Sequence, residues 1–127
     1  MTWLARLKNA LPRANTQAIG QAGEDHALQY LQAQGLRLLE RNFRCQLGEI
    51  DLIMQDGQQL IFVEVRKRAS LSHGGAAASV TPSKQRRLLL AAQYYLQTLP
   101  HMPRCRFDLI AIDGAQTIWL KDIIAAE

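Results

Sequence analysis

The sequence lacks a long apolar run: no stretch of its 127 residues approaches the roughly 18 to 20 apolar residues that are needed to cross a bilayer. Residues 1–14 mix apolar and basic side chains, without the continuous apolar core and small-residue cleavage site of a signal peptide. We therefore expect no membrane association and a cytoplasmic location. Residues 1–14 are interpreted as a basic N-terminal segment, for which a loosely docked short helix is favoured over an anchor for a membrane or partner.

Cysteine is also scarce. Cys45 and Cys105 lie far apart and have no Cys-x-x-Cys or nearby histidine spacing, which argues against a zinc site. Acidic residues are too few to balance the basic ones, so the net charge is +4 at pH 7. The cations are densest at 66–68 and 84–87, and this distribution predicts an acidic partner, most simply nucleic acid.

Residues 15–127 suit one domain with one core. One long helix is predicted from Asn15 or Thr16 to about Gln34, and a second is opened by Thr81-Pro82 and ended by Pro100. Strands are predicted at residues 36–44, 48–54, 59–67, 104–113 and 117–120. The order is αβββαββ, and the crossover helix implies a parallel pair of strands. We therefore predict an α/β fold with a mixed five-stranded sheet flanked by helices.

Two carboxylates interrupt apolar strands, Asp51 in the second and Glu64 in the third. Acids are depleted in strands and costly to bury unpaired, so the pair indicates a divalent metal site. If Asp56-Gly57 forms a two-residue hairpin loop, Asp51 lies opposite Phe62, and Glu64 is its diagonal neighbour at about 7–8 Å. A loop one residue longer would place the two acids on opposite faces.

Glu24 adds a third acid, within a stripe of small residues on the first helix. It is interpreted either as a site residue or as a solvated glutamate that favours the helix dipole. Glu49 is interpreted as a solvated charge or an outer group of the site. Asp108 is expected to be the structural partner of Arg106.

The residues around Glu64 suit a metal-dependent phosphodiesterase. Glu24, Asp51 and Glu64 are the expected ligands of Mg²⁺ or Mn²⁺, which prefer oxygen donors. Arg66, two residues after Glu64 and on the same face, is expected to steady the phosphate or a developing oxyanion. The expected nucleic-acid contacts come from the basic runs and comprise Lys67, Arg68, Lys84, Arg86 and Arg87.

Four blocks of sequence carry a family resemblance: Gly20–Glu24, Gly48–Ile53, Phe62–Val65 and Arg106–Asp108. Together they resemble the YraN-like family, a bacterial family of small proteins without settled function, over nearly the whole chain from Ala18. That family is similar to the PD-(D/E)xK nucleases, which include archaeal Holliday junction resolvases and restriction endonucleases. The resemblance implies a restriction-endonuclease-like core, with Asp51 and Glu64 as metal ligands and Glu24 as an additional acid from the helix.

Arg66 departs from this pattern, because the family and the wider nucleases usually have lysine there. Arginine keeps the charge but is bulkier, planar and always protonated. Three hypotheses therefore stay open: a Mg²⁺-dependent endonuclease acting on DNA, including branched or processed structures; a nucleic-acid-binding protein with a weakened or inactive site; and an adaptor for a protein partner. A homodimer is expected by analogy with enzymes that cut two strands.

Overall fold

The computed structural model describes residues 21–68 and 80–124 of the chain. Two helices are present in these ranges, α1 with helical residues 21–33 and α2 (Pro82–Leu96). The predictions for residues 1–14 and for the start of the first helix lie outside the described residues. The strands match their predicted positions to within two residues and are β1 (Arg37–Cys45), β2 (Gly48–Asp56), β3 (Gln59–Arg68), β4 (Cys105–Asp113) and β5 (Gln116–Leu120).

The five strands form one mixed sheet in the order β1-β2-β3-β4-β5. β3 and β4 are parallel, and the other neighbouring pairs are antiparallel. The parallel pair is the one that α2 connects, as the crossover requires. The predicted α/β class and the order αβββαββ are therefore confirmed, and the arrangement is consistent with a restriction-endonuclease-like core.

Apolar layers cover both faces of the sheet. Ile61 and Val63 of β3 pack with Ala27 and Leu31 of α1, in what we call the α1 layer. Phe62, the residue between them, packs on the other face in the layer that also contains Leu88, Ala91 and Ala92 of α2, called the α2 layer. Burial on both faces explains why β3 is an apolar run instead of an alternation of apolar and polar residues.

The helix boundaries follow local chemistry. Gly35, just after α1, has φ +95°, a conformation that glycine adopts without a Cβ clash. Thr81 caps α2 by accepting the backbone N–H of Lys84 over 3.3 Å. The prediction that Pro100 ends this helix was wrong: it ends at Leu96, because the chain tightens into i+3 hydrogen bonds there, including Thr98 N–H to Tyr95 O at 3.0 Å.

The hairpin between β2 and β3 differs from the predicted one by a single position. Asp56 still pairs with Gln59, so the loop is Gly57-Gln58, with Gly57 at φ +61°. Phe62 consequently lies opposite Ile53, and the prediction that it lies opposite Asp51 was wrong. The register changes by two residues, which preserves the face of every side chain.

Asp108 holds β4, β5 and the following segment together. It is fully buried and accepts hydrogen bonds from the Arg106 guanidinium (2.9 to 3.1 Å), Trp119 Nε1 (2.9 Å) and the Asp122 backbone N–H (2.9 Å). The predicted structural pairing with Arg106 is confirmed. Within the described residues, no helix combines the length and the apolar character that a membrane crossing needs.

Candidate active site

Asp51 lies where the β2–β3 ladder ends. The backbone pairs run from the hairpin as far as Leu52↔Val63, and Asp51 is the next residue. Its Oδ2 accepts the backbone N–H of Val65 over 2.8 Å. The carboxylate therefore takes a donor of β3 beyond the end of the ladder, and this fixes the acid against the neighbouring strand.

The strands also change face at Asp51. Ile50 packs in the α2 layer and Leu52 in the α1 layer, although residues two apart on a strand normally share a face. Asn42, which faces Asp51 in the β1–β2 register, has φ 54°, an uncommon value for a residue with a side chain. This local irregularity is the point from which the acid is presented.

Glu64 lies directly beside Asp51 when the ladder register is continued by one residue. Its side chain is 16% exposed. Burial, followed by repulsion from Asp51, raises the pKa of Glu64 to about 8, against the lowering effect of nearby Arg66 and Lys84. Burial also raises the pKa of Asp51, against the Val65 hydrogen bond. Burial and the neighbouring acid therefore favour the protonated form of Glu64.

Glu24 reaches the same region from α1. Burial and the charge of Asp51 raise the pKa of Glu24, whereas Arg41 and a hydrogen bond from Asn42 lower it. Arg41 Nε lies 3.8 Å from Glu24 Oε1, and Arg41 also bonds to Asp25. Among the described residues nothing donates a hydrogen bond to the buried Glu24 Oε1. Glu24 therefore feels the charge of Asp51, whereas its predicted role as a metal ligand stays a prediction.

Arg66 lies on the same face of β3 as Glu64. Its Nε is 3.4 Å from Glu64 Oε1, and its side chain is 23% exposed. The ion pair keeps the guanidinium at the edge of the carboxylate pair. Because arginine is always protonated, it provides a fixed positive charge and no exchangeable base.

A pocket of about 480 Å³ opens beside this ion pair, between the β1–β2 turn and the first turns of α2. We call it the basic pocket, since four cations and two acids line it. Asp51 and Glu24 are not among the lining residues, so Glu64 is the acid of the pair that faces the pocket. The lining residues are Arg44, Cys45, Gln46, Gly48, Glu49, Glu64, Arg66, Lys84, Arg87 and Leu88.

Gly48 holds the two sides of the basic pocket together. A Cβ at residue 48 would lie 2.5 Å from the backbone oxygen of Arg87, closer than real Cβ atoms approach. Only glycine lets the β1–β2 turn pack this tightly on α2. Gly48 belongs to one of the family blocks, but local sequence does not reveal this role, because the contact joins residues distant in sequence.

The predicted nucleic-acid contacts divide into three groups. Lys84 and Arg87 line the basic pocket, and Arg86 is exposed outside its lining. Lys67 is exposed on β3, one position after Arg66, so alternation turns it toward the other face of the strand. The side chain of Arg68 lies outside the described part of the chain. Arg44, not predicted as a contact, lines the pocket and pairs with Glu49 at 3.2 Å.

The carboxylate pair provides the kind of ligand atom, oxygen, that a magnesium ion prefers. Two adjacent carboxylates offer oxygen ligands to a cation, whose charge would offset the repulsion between them. Mg²⁺ is usually bound by one or two carboxylates together with waters and substrate phosphates. In residues 21–68 and 80–124, no three acidic, histidine or cysteine side chains form a group that could hold a metal ion. Asp51 and Glu64 could therefore hold such an ion, and a direct role for Glu24 stays a prediction.

The fold and the site define a class: an α/β protein with a mixed five-stranded sheet, a half-buried carboxylate pair on adjacent central strands and a basic pocket beside it. The chain belongs to the uncharacterised protein family UPF0102, whose model matches residues 23–112. The predicted resemblance to the YraN-like family is thereby confirmed.

Relatives of this family are similar over most of the chain. The UPF0102 protein HEAR0176 of Herminiimonas arsenicoxydans is 64% identical over 113 residues, which cover 89% of this chain and 91% of the relative. A UPF0102 protein of Janthinobacterium sp. (strain Marseille) is 61% identical, with 91% and 94% covered. One of Ralstonia pickettii (strain 12J) is 54% identical, with 91% and 97% covered.

Proposed function

We propose that this protein is a metal-dependent endonuclease that hydrolyses phosphodiester bonds in DNA, including branched or processed structures. The observation that carries the proposal is the half-buried pair of Asp51 and Glu64, with Glu64 facing a pocket lined by four cations. Carboxylates suit a divalent cation, and the surrounding positive charge suits a phosphate. The resemblance to PD-(D/E)xK nucleases points to the same reaction.

Each side chain has a role in this proposal. Asp51 and Glu64 would hold Mg²⁺ or Mn²⁺, and Glu24 would assist directly or through water. The bound ion would supply a water of lowered pKa and offset charge on the phosphate. Arg66 orients the scissile phosphate beside Glu64. Lys84 and Arg87 bind the phosphate backbone at the helical wall of the pocket, where their charges lower the cost of bringing the anion in.

Calorimetric titration with Mg²⁺ and Mn²⁺ tests the metal half of the proposal. The wild-type chain is expected to bind, and Asp51→Asn to lose most of the affinity while remaining folded by circular dichroism. Glu40→Gln, an exposed change on β1, is the matched control and should bind normally. Metal binding that persists in Asp51→Asn would contradict the assignment of Asp51.

Cleavage assays on duplex, flap and four-way DNA test the reaction itself. Products are expected only with the metal present and only with Asp51 and Glu64 intact. The predicted homodimer can be tested on the same purified protein by light scattering after size-exclusion chromatography. Absence of cleavage on all three substrates, with metal bound, would contradict the endonuclease proposal.

A second function is favoured by one observation, the ion pair between Arg66 and Glu64. Arg66 stands where the PD-(D/E)xK nucleases usually have lysine. In this second function the protein would bind DNA through the basic pocket and would cut it weakly or not at all. Arg66→Lys separates the two functions. Strong cleavage gained by Arg66→Lys favours the binding protein with a restrained site, whereas cleavage by the wild-type chain that Arg66→Lys leaves equal or lower favours the active endonuclease.

A further inference from the structure

One side of α2 carries basic side chains near its start and an exposed aromatic ring further along. Arg87 and Tyr94 are seven residues apart, which is close to two full turns, so they project from the same side of the helix. Lys84 lies one turn before Arg87 and lines the basic pocket with it. The distance along the axis from Arg87 to Tyr94 is about 10 Å at 1.5 Å per residue.

β1 runs beside this face and contributes matching groups. Arg44 lines the basic pocket with a side chain that is 75% exposed. Its neighbour Phe43 packs against Tyr94, with ring centroids 6.2 Å apart and planes inclined by 40°. Tyr94 nevertheless remains 51% exposed. We call this track the α2–β1 seam, defined by Arg44, Arg87, Phe43 and Tyr94.

The seam is built rigidly. Gly48 brings the β1–β2 turn against the backbone of Arg87, and Phe43 packs edge-on against Tyr95 at 5.3 Å in the α2 layer. These contacts hold α2 against β1, so that Tyr94, which packs on Phe43, and Arg87 are carried by one packed framework. A preorganised ring costs little entropy when a ligand stacks on it.

The chemistry of the seam identifies its occupant. Cations at one end suit a phosphate, and an exposed ring at the other suits a planar base. The separation of about 10 Å corresponds to about three stacked-base steps of 3.4 Å each. Bases inside a duplex are already stacked on their neighbours and cannot stack on Tyr94, whereas unpaired bases can.

We propose that the α2–β1 seam binds single-stranded DNA, with a phosphate at Arg87 and Arg44 and an unpaired base stacked on Tyr94. The inference rests on the proposed function in its choice of DNA, and it deepens that function by naming the substrate class. The substrate carries an unpaired segment within a few nucleotides of the phosphate in the basic pocket, as a flap or overhang does.

Fluorescence anisotropy with labelled oligothymidine of about 15 nucleotides, in EDTA, tests the seam without any cleavage. Tyr94→Leu is expected to weaken binding roughly 5- to 150-fold, the range for loss of one base–aromatic stack. Tyr94→Phe keeps the ring and should stay within about twofold of the wild-type protein. Gln93→Ala, exposed on another side of α2, is the matched control and should leave binding unchanged. Arg87→Ala should reduce the slope of log affinity against log salt concentration by about one, the value for the loss of one phosphate contact.

Four results would overturn the inference. The first is a wild-type protein that does not bind oligothymidine, and the second is a folded Tyr94→Leu variant that binds oligothymidine as tightly as the wild-type protein. The third is blunt duplex DNA that binds as tightly as oligothymidine and depends equally on Tyr94. The fourth is oligouridine that binds more tightly than oligothymidine. Ring-dependent binding without cleavage in Mg²⁺ would leave the seam established and reject the endonuclease. If Tyr94→Leu changes neither DNA cleavage nor oligothymidine binding, the endonuclease is supported and the seam is rejected.

Discussion

The carboxyl group of Asp51 acts on that of Glu64 on the neighbouring central strand: burial, followed by the charge of Asp51, raises the pKa of Glu64 to about 8. Arg66 is 3.4 Å from Glu64 and only partly offsets the repulsion. The folded chain therefore holds two acids with raised pKa values in its interior, and this has consequences for stability that can be measured.

Stability should fall as pH rises through the range between 4.5 and 8. Glu64 has an ordinary pKa of 4.5 and a folded pKa of about 8, so in this window the folded state binds more protons than the unfolded state. The slope is up to about 1.4 kcal/mol per pH unit, and the total is on the order of a few kcal/mol. Urea denaturation at a series of pH values measures it. Glu64→Gln removes the titrating group, and an unchanged slope in that variant would contradict the assignment.

Asp51→Asn should lower the pKa of Glu64 while leaving it above 4.5. Burial, the largest cause of the shift, remains, whereas the repulsion from the Asp51 charge is lost. The asparagine oxygen can still accept the Val65 N–H. Carbon-13 NMR titration of the glutamate side chains gives the value directly. Glu49→Gln is the control, because the charge of Glu49 acts on Asp51 and Glu24. If the pKa of Glu64 falls as far in Glu49→Gln as in Asp51→Asn, the coupling of Glu64 to Asp51 is not specific.

Gly48→Ala should destabilise the fold by about 1–3 kcal/mol, the usual cost of forcing an extra carbon into a packed contact. The added Cβ meets the backbone of Arg87 at 2.5 Å, and backbone cannot move aside as a flexible side chain can. Gly23→Ala is the matched control, since its Cβ would meet Ile112 Cδ1 at an ordinary 3.9 Å and alanine favours the helix. Urea denaturation should show the opposite sign for the two variants, and equal effects would reject the steric argument.

Asp108→Ala should destabilise the protein by about 3–5 kcal/mol, as breaking a buried ion pair does. It leaves Arg106, Trp119 Nε1 and the Asp122 N–H without their acceptor. Denaturant unfolding gives the free energy, and near-ultraviolet circular dichroism should show changed packing of Trp119. Glu40→Ala on the exposed face of β1 should stay within about 0.5 kcal/mol. A small effect at Asp108 would mean that water replaces its contacts.

Local pattern was sufficient to predict the strands and the sharing of a face by Asp51 and Glu64. The exact register was not, because the two-residue loop lies at Gly57-Gln58, one position later than the predicted Asp56-Gly57. Gly57 thereby takes the first loop position with φ +61°, a positive value of the kind that primed hairpin turns require there.

Long-range features of the site were beyond local pattern. Asn42 adopts a positive φ opposite Asp51, and no residue spacing signals such a change of face. The contact of Gly48 with Arg87 and the assembly of the basic pocket join segments about 40 residues apart. Only the excess of cations in the sequence pointed toward them.

The placement of the two thiols supplies a built-in reporter. Cys45 lines the basic pocket, whereas Cys105 opens β4 beside Leu60, away from it. Burial raises the pKa of the Cys105 thiol, which reduces its thiolate fraction and its reactivity. Alkylation of the unmodified protein thus yields a footprint: a ligand in the pocket should shield Cys45, and the slow labelling of Cys105 provides an internal reference that reports unfolding.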